Sequence, residues 1–184
     1  MVRDAQDTRR RLLAAASQEF AARGIAGARV DRIAEVAGAN KAMIYNYFGS
    51  KVQLFDAVFQ EGVVSAVNDV PIDADDLPGY AGRLFDYHQT HPDGLRLAIW
   101  HMLERGADAV PDTVRKANLD KAAVIADAQR DGRLPAHFAP EELLALVVGM
   151  SILGMADWSP NDLALRRRRK TITDAVAMLI EQAG

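Results

Sequence analysis

Residues 34–51 read AEVAGANKAMIYNYFGSK, with a glycine between two short helix-forming runs, and this arrangement restricts the fold more than any other part of the chain. Glycine enters the left-handed region at little steric cost, so Gly38 ends one helix and turns the backbone sharply. Asn40 is a good N-cap for the run that follows, Lys41 to Phe48, a helix of barely two turns. A segment built only for stability would fill that run with Leu, Ala and Glu; this one holds a lysine, an asparagine and two tyrosines. At about 100° per residue, Ile44 and Phe48 share one side, Ala42, Met43 and Asn46 take the opposite side, and Tyr45 and Tyr47 lie on the flanks. Helix, glycine turn and short second helix, with a further helix beneath them, is the layout of a helix-turn-helix.

The outward face of such a helix suits a major groove. Small or flexible residues allow close approach, while phenol and amide groups bond to phosphates and bases. The helix N-terminus adds backbone donors beside Lys41. The charge distribution agrees: residues 1–51 hold nine Lys or Arg against five acids, a net of +4, whereas the remainder holds thirteen against twenty, a net of −7. A polyanion would therefore meet the N-terminal end. Arg3, Arg9, Arg10 and Arg11 read equally as a phosphate-seeking arm or as an ordinary polar face.

The rest of the chain reads as helix too, since β-type alternation is missing. Leu12, Leu13, Ala16 and Phe20 form one stripe of a helix over about Thr8 to Arg23, with RGIAG as its stop. A second helix covers about Val30 to Ala37. Ser50 caps a fourth, with Leu54, Phe55, Val58 and Phe59 inward, fading near Asn68. The proline- and acid-rich DVPIDADDLPGY (Asp69 to Tyr80) marks a boundary. Five more helices are expected at about Gly79–Thr90, Gly94–Ala107, Thr113–Asp131, Glu141–Ala156 and Asn161–Gln182. Pro92, Pro111 and Pro160 serve as punctuation. The expectation is an all-α chain of about nine helices: a helix-turn-helix domain over 1–50, a connecting helix over 51–68 and a helical bundle over 69–184.

With 49% hydrophobic and 26% charged residues this is a globular composition, and the absence of cysteine excludes disulfides and thiolate metal sites. The apolar stretch Leu143 to Ala156 is shorter than the ~20 residues that span a bilayer. Acids at the N-terminus, where a signal peptide needs an apolar core, point to a cytoplasmic location. No nucleophile with a paired base, phosphate loop or complete metal set is found, so no catalytic residue, metal or cofactor is expected. His88 and His91, one turn apart with Asp86 nearby, lack a third ligand of known position.

TRRRLLAAASQEFAARG followed by VDRIAEVAGANKAMIYNYFGSKVQLFDAVF resembles the DNA-binding region of the TetR family, bacterial regulators named after the tetracycline repressor. The resemblance covers about Thr8 to Phe59. It implies DNA contacts from Lys41, Ala42, Met43, Tyr45, Asn46 and Tyr47 and from Lys51. The tyrosines would clamp the backbone, and sequence choice would fall to Lys41, Met43 and Asn46. Two positions depart from the pattern. Ala28 and Arg29 stand where a small hydroxyl residue usually opens the second helix, leaving Arg29 to take the phosphate, and Asn40 stands where Ser or Thr is common. Packing roles for Tyr45 and Tyr47, and a solvated turn for Lys51, are the plain alternatives.

Glu141 to Ala156 is apolar on nearly every side and must be covered all round. It is either a central core helix or, as the resemblance implies, half of a homodimer interface formed with 161–182. Arg166 to Lys170 point all round a helix axis, so they pair with local acids or a partner subunit rather than form one basic face. Tyr80, Phe85, Tyr87, Trp100 and Met102 with His88, His101 and Glu104 are the mixture that an apolar pocket with polar anchors requires; aromatic core packing explains it nearly as well. The resemblance implies a small-molecule effector, with Phe85, His88, Trp100, His101 and Glu104 as candidate ligand-binding residues. The expected function is a ligand-responsive regulator, most often a repressor in this family, bound to a palindromic operator; the alternative is a helical carrier of small molecules.

Overall fold

The computed structural model describes residues 2–106, 109–152 and 162–181. Among these residues the secondary structure is helical throughout: α1 (Val2–Gly27), α2 (Val30–Val36), α3 (Lys41–Phe48), α4 (Lys51–Asp69), α5 (Leu77–Thr90), α6 (Pro92–Glu104), α7 (Asp112–Arg130), α8 (Pro140–Ile152) and α9 (Asp162–Ile180). The all-α reading stands, and α3 has the bounds read from the sequence. RGIAG interrupts the first helix as expected: Gly24, with φ of 67° and ψ of −176°, is not helical, and a short further helical segment carries the α1 bounds on to Gly27. The last residues of the apolar stretch, 153–156, and Pro160, Asn161 and Gln182 lie outside the described residues. Local capping follows the residue types. Asp76 accepts from Gly79 N at 2.8 Å to open α5, and Ser50 Oγ accepts from Gln53 N at 3.1 Å to open α4.

The chain divides into two compact units that interleave in sequence: residues 1–65 with 92–114, and 66–91 with 115–184. This differs from the contiguous division expected at 50 and 68. The reason lies in α6, which packs along α1 and places Leu97, 2% exposed, in the core of the first unit. That core joins Leu12, Phe20, Ile33, Ile44, Leu54 and Phe55, all fully buried, with Phe20 and Phe55 edge to face at 5.3 Å. At about 1.5–3 kcal/mol for each large apolar side chain, these few residues hold α1 to α4 as one body.

In the second unit α5 packs on α8 and α9, burying Leu77, Tyr80, Leu84 and Phe85 against Leu143, Val147, Ile172 and Val176, with Ile125 of α7. Two members of the basic run in α9, Arg169 and Lys170, pair with acids. Arg169 Nε donates to both Asp86 oxygens at 3.0 and 2.8 Å, fastening α9 to α5, and Lys170 pairs with Asp174 at 2.6 Å.

Candidate nucleic-acid interface

Gly38 has φ +61°, and a Cβ there would stand 3.2 Å from Arg11 Nη1. That guanidinium donates to Ala37 O at 2.7 Å, so α1 supplies a donor to the C-terminal end of α2, and the glycine leaves it room. The opposite end of α2 is also served by α1. Arg29 sits at the N-cap with no side-chain capping bond, and its N–H donates instead to Glu19 Oε1 at 3.1 Å. Glu19 is 8% exposed and has Arg23 and Arg32 at 3.5 and 3.6 Å. The missing hydroxyl of the Ala28–Arg29 pair is thus replaced by a carboxylate ten residues upstream. Nothing local marked Glu19, which in sequence looks like an ordinary partner for Arg23 one turn on. The Arg29 side chain is exposed, and near enough to Lys41 for the two cations to repel.

Asn40 Oδ1 accepts from Met43 N at 3.0 Å and opens α3 as its residue type predicts. Ile44 is fully buried and Phe48 8% exposed, so the helix is pinned along one side. Lys41, Ala42, Asn46 and Tyr45, the last 44% exposed, face solvent. Met43 and Tyr47 are half-buried and pack on the core, with the Tyr47 and Phe48 rings 6.2 Å apart. The free face is therefore narrower than the spacing suggested. Lys41 Nζ lies 3.0 Å from Asp31 of α2, whose hydrogen bond and charge raise the lysine pKa above 10.5. Both partners are about half exposed, so solvent screens the pair.

The link between α1 and α2 is held from two directions. Lys51 Nζ donates to Ala28 O at 3.2 Å and Ala26 O at 3.4 Å. Glu104, at the end of α6, accepts from Ile25 N at 3.0 Å and Ala26 N at 2.9 Å. These are N–H groups freed by the bend at Gly24, where a Cβ would lie 2.3 Å from Glu104 Oε1 and 2.8 Å from the Trp100 ring. Trp100 Nε1 donates to Ala21 O at 3.3 Å, and the indole lines an open groove with Ala21, Ala22, Arg96 and Ile99. His101 is 3% exposed and stacks on Phe59 at 4.3 Å.

The five residues taken from the sequence as ligand-binding thus fall in different units. Trp100, His101 and Glu104 belong to the first, each with a partner there; Phe85 and His88 belong to the second. Phe85 is 2% exposed in its core, and His88 Nε2 is buried without a hydrogen-bond partner.

A short helix pinned by Ile44 and Phe48 and presenting Lys41, Ala42, Tyr45 and Asn46 past a glycine turn defines a helix-turn-helix DNA-binding protein. Residues 12–58 match the family model described as "Bacterial regulatory proteins, tetR family", and residues 76–181 match "Tetracyclin repressor-like, C-terminal domain". The chain is 40% identical over 151 residues to the HTH-type transcriptional repressor SCO4008 of Streptomyces coelicolor, covering 81% of this chain and 79% of that one. It is 32% identical over 167 residues to the HTH-type transcriptional activator FasR of Mycolicibacterium smegmatis, covering 85% and 75%. The solved structure of SCO4942 from Streptomyces coelicolor superposes with a TM-score of 0.78 at 35% identity, covering 94% of this chain and 97% of that one. This chain belongs to the TetR family and is a DNA-binding transcriptional regulator, not an enzyme. Among the described residues, no helix is long and apolar enough to cross a membrane.

Proposed function

We propose that the chain acts in the cytoplasm as a homodimeric repressor that reads a palindromic operator with one α3 from each protomer and is released by a small molecule. The observation that carries the reading is the division of α3 into a buried side, Ile44 and Phe48, and an exposed one, Lys41, Ala42, Tyr45 and Asn46. Tyr45 and the outer edge of Tyr47 clamp phosphates, Ala42 permits close approach, and Lys41, Met43 and Asn46 read base edges. Lys51 has a third ammonium proton beyond the two bonded to Ala26 and Ala28, and together with Arg29 it takes phosphate. Contact with DNA draws Lys41 from Asp31.

Dimerisation through 141–156 and 161–182 is supported by apolar side chains that a single chain leaves in water: Leu146 is 37% exposed on α8 and Met178 71% on α9. Two-fold symmetry would set two reading heads about 34–36 Å apart, one helical turn of DNA. Repression is the activity named for the 40%-identical relative. Release needs a ligand with different affinities for two arrangements of the molecule. The end of α6 suits transmission: Glu104 holds the α1–α2 link, and the next residue, Arg105, pairs with Asp56 of α4 at 3.2 Å.

Selection of genomic DNA fragments on the purified protein should return a palindrome. If each dimer neutralises about eight phosphates, log affinity falls against log salt with a slope of about −7. Tyr45→Ala and Asn46→Ala should each weaken operator binding about tenfold or more, with Tm nearly unchanged because both side chains are exposed. Unchanged affinity in both variants, or a salt-independent complex, would remove α3 as the reading element.

A further inference from the structure

We propose that Tyr80, His88 and Lys121 are the polar anchors of the effector site in the second unit, and that the effector is an apolar molecule carrying a carboxylate. The proposal rests on the reading above that a small molecule controls this regulator.

Residues 80, 84 and 88 succeed one another on one side of α5, and Tyr80, fully buried, has a hydroxyl with no hydrogen-bond partner. Nε2 of His88 is likewise buried and unpartnered. Native interiors rarely leave such groups unmet, and each one needs a reason. Lys121 of α7 is the third member. Its ammonium lies 5.8 Å from the centroid of the Tyr80 ring, and among the described residues no carboxylate pairs with it. Burial alone lowers the Lys121 pKa, with no acid opposing it. Burial, then the charges of His91 and Lys121, lowers that of His88, so the imidazole stays neutral beside the lysine cation.

The balance of charge selects the ligand class. Among the described residues of the second unit no carboxylate is buried; the buried Glu19 belongs to the first unit, and Ser151 already donates to Val148 O at 2.7 Å. A cationic ligand would meet no counter-charge and would be repelled by Lys121. A neutral one would leave that ammonium unpaired. A carboxylate accepts from the ammonium and from the Tyr80 hydroxyl, and its apolar body would pack against the buried apolar cluster to which Leu84, Phe85, Ala122 and Ile125 belong.

The test uses the full-length protein with two apolar bodies, a decyl chain and a phenylbutyl group, each carrying a carboxylate, a hydroxyl or a trimethylammonium head. Binding is measured by calorimetry and release by displacement from the selected operator. The carboxylates should bind about tenfold or more tightly than the alcohols of the same body. Lys121→Met should abolish that preference while operator binding measured without ligand stays at the wild-type level, and Tyr80→Phe should remove part of it. Equal or tighter binding of the trimethylammonium compounds, or carboxylate binding untouched in Lys121→Met, overturns the proposal. If a compound with another head group, or only a protein-free metabolite extract lacking carboxylates, releases the operator, the anionic site falls and effector control stands. If neither probes nor whole extract release it, effector control falls as well, while operator recognition, measured without any ligand, is unaffected.

Discussion

Glu19 in the first unit and Tyr80 in the second are both buried polar side chains, but they end differently. Glu19 accepts from Arg29 N and has two guanidiniums beside it, whereas the Tyr80 hydroxyl meets nothing. The contrast between the units is one of degree, since Asp56 Oδ1 and Arg105 Nε of the first unit are also buried without a hydrogen-bond partner, although their other atoms pair with each other at 3.2 Å. In the first, Glu104, Trp100, Arg11 and Lys51 all spend their polar atoms on backbone groups of the α1–α2–α3 region. In the second, His88 Nε2 is buried without a partner, and the half-buried Lys121 has no carboxylate paired with it among the described residues. A DNA-reading head gains from rigidity, since its side chains must meet fixed groove positions. Under the proposed effector control, the second unit would keep interior groups for a ligand to satisfy.

Four experiments probe that contrast. The largest effect belongs to Glu19→Ala, which strips the N-terminal end of α2 of its acceptor and leaves Arg23 and Arg32 beside a small apolar site. Stability should fall by about 2–3 kcal/mol, seen as a Tm lower by about 5–10 °C. An unchanged Tm would mean that the head does not depend on its internal polar bonds. Glu104→Ala frees two N–H groups at a more exposed place, so about 1 kcal/mol is expected, or about 2–4 °C. Operator affinity in that variant should fall further than the Tm change accounts for, because the α1–α2 link loses one of its two holds.

In the second unit the sign reverses. Lys121→Met removes a desolvated charge with no partner, and Tm should rise by about 2 °C; a fall would mean that the ammonium has a stabilising partner. The smallest effect is a pH dependence. The folded pKa of His88 lies below 6.5, so between that value and 6.5 the unfolded chain binds more protons, and stability is lost as pH falls through this window. His88→Asn should flatten the acid side of the Tm-against-pH curve and leave the curve above pH 7 in place. Parallel curves would show that the imidazole titrates as freely in the folded protein as in the unfolded chain.

Features decided within about four residues were legible in the chain. The bounds of α3, the left-handed Gly38, the caps at Asn40 and Ser50 and the inward stripe of Ile44 and Phe48 are all of this kind, because capping and helical periodicity act over one turn. The exposed face of α3 was legible for the same reason, although Met43 and Tyr47 are more covered than their angles imply, since neighbouring elements pack over the flanks.

What the amino-acid order determined unaided, then, was the nature of each helix and the identity of the short one that faces outward. Docking decided the rest: that α6 packs with the head, that Glu19 and not a residue at the Ala28–Arg29 junction caps α2, that Glu104 bonds a backbone nearly eighty residues away, and that Tyr80 is left unmatched. The physical reason is that a long polar side chain has several acceptors or donors within reach of its own turn. Which distant one it takes depends on where the packed apolar surfaces bring the backbone.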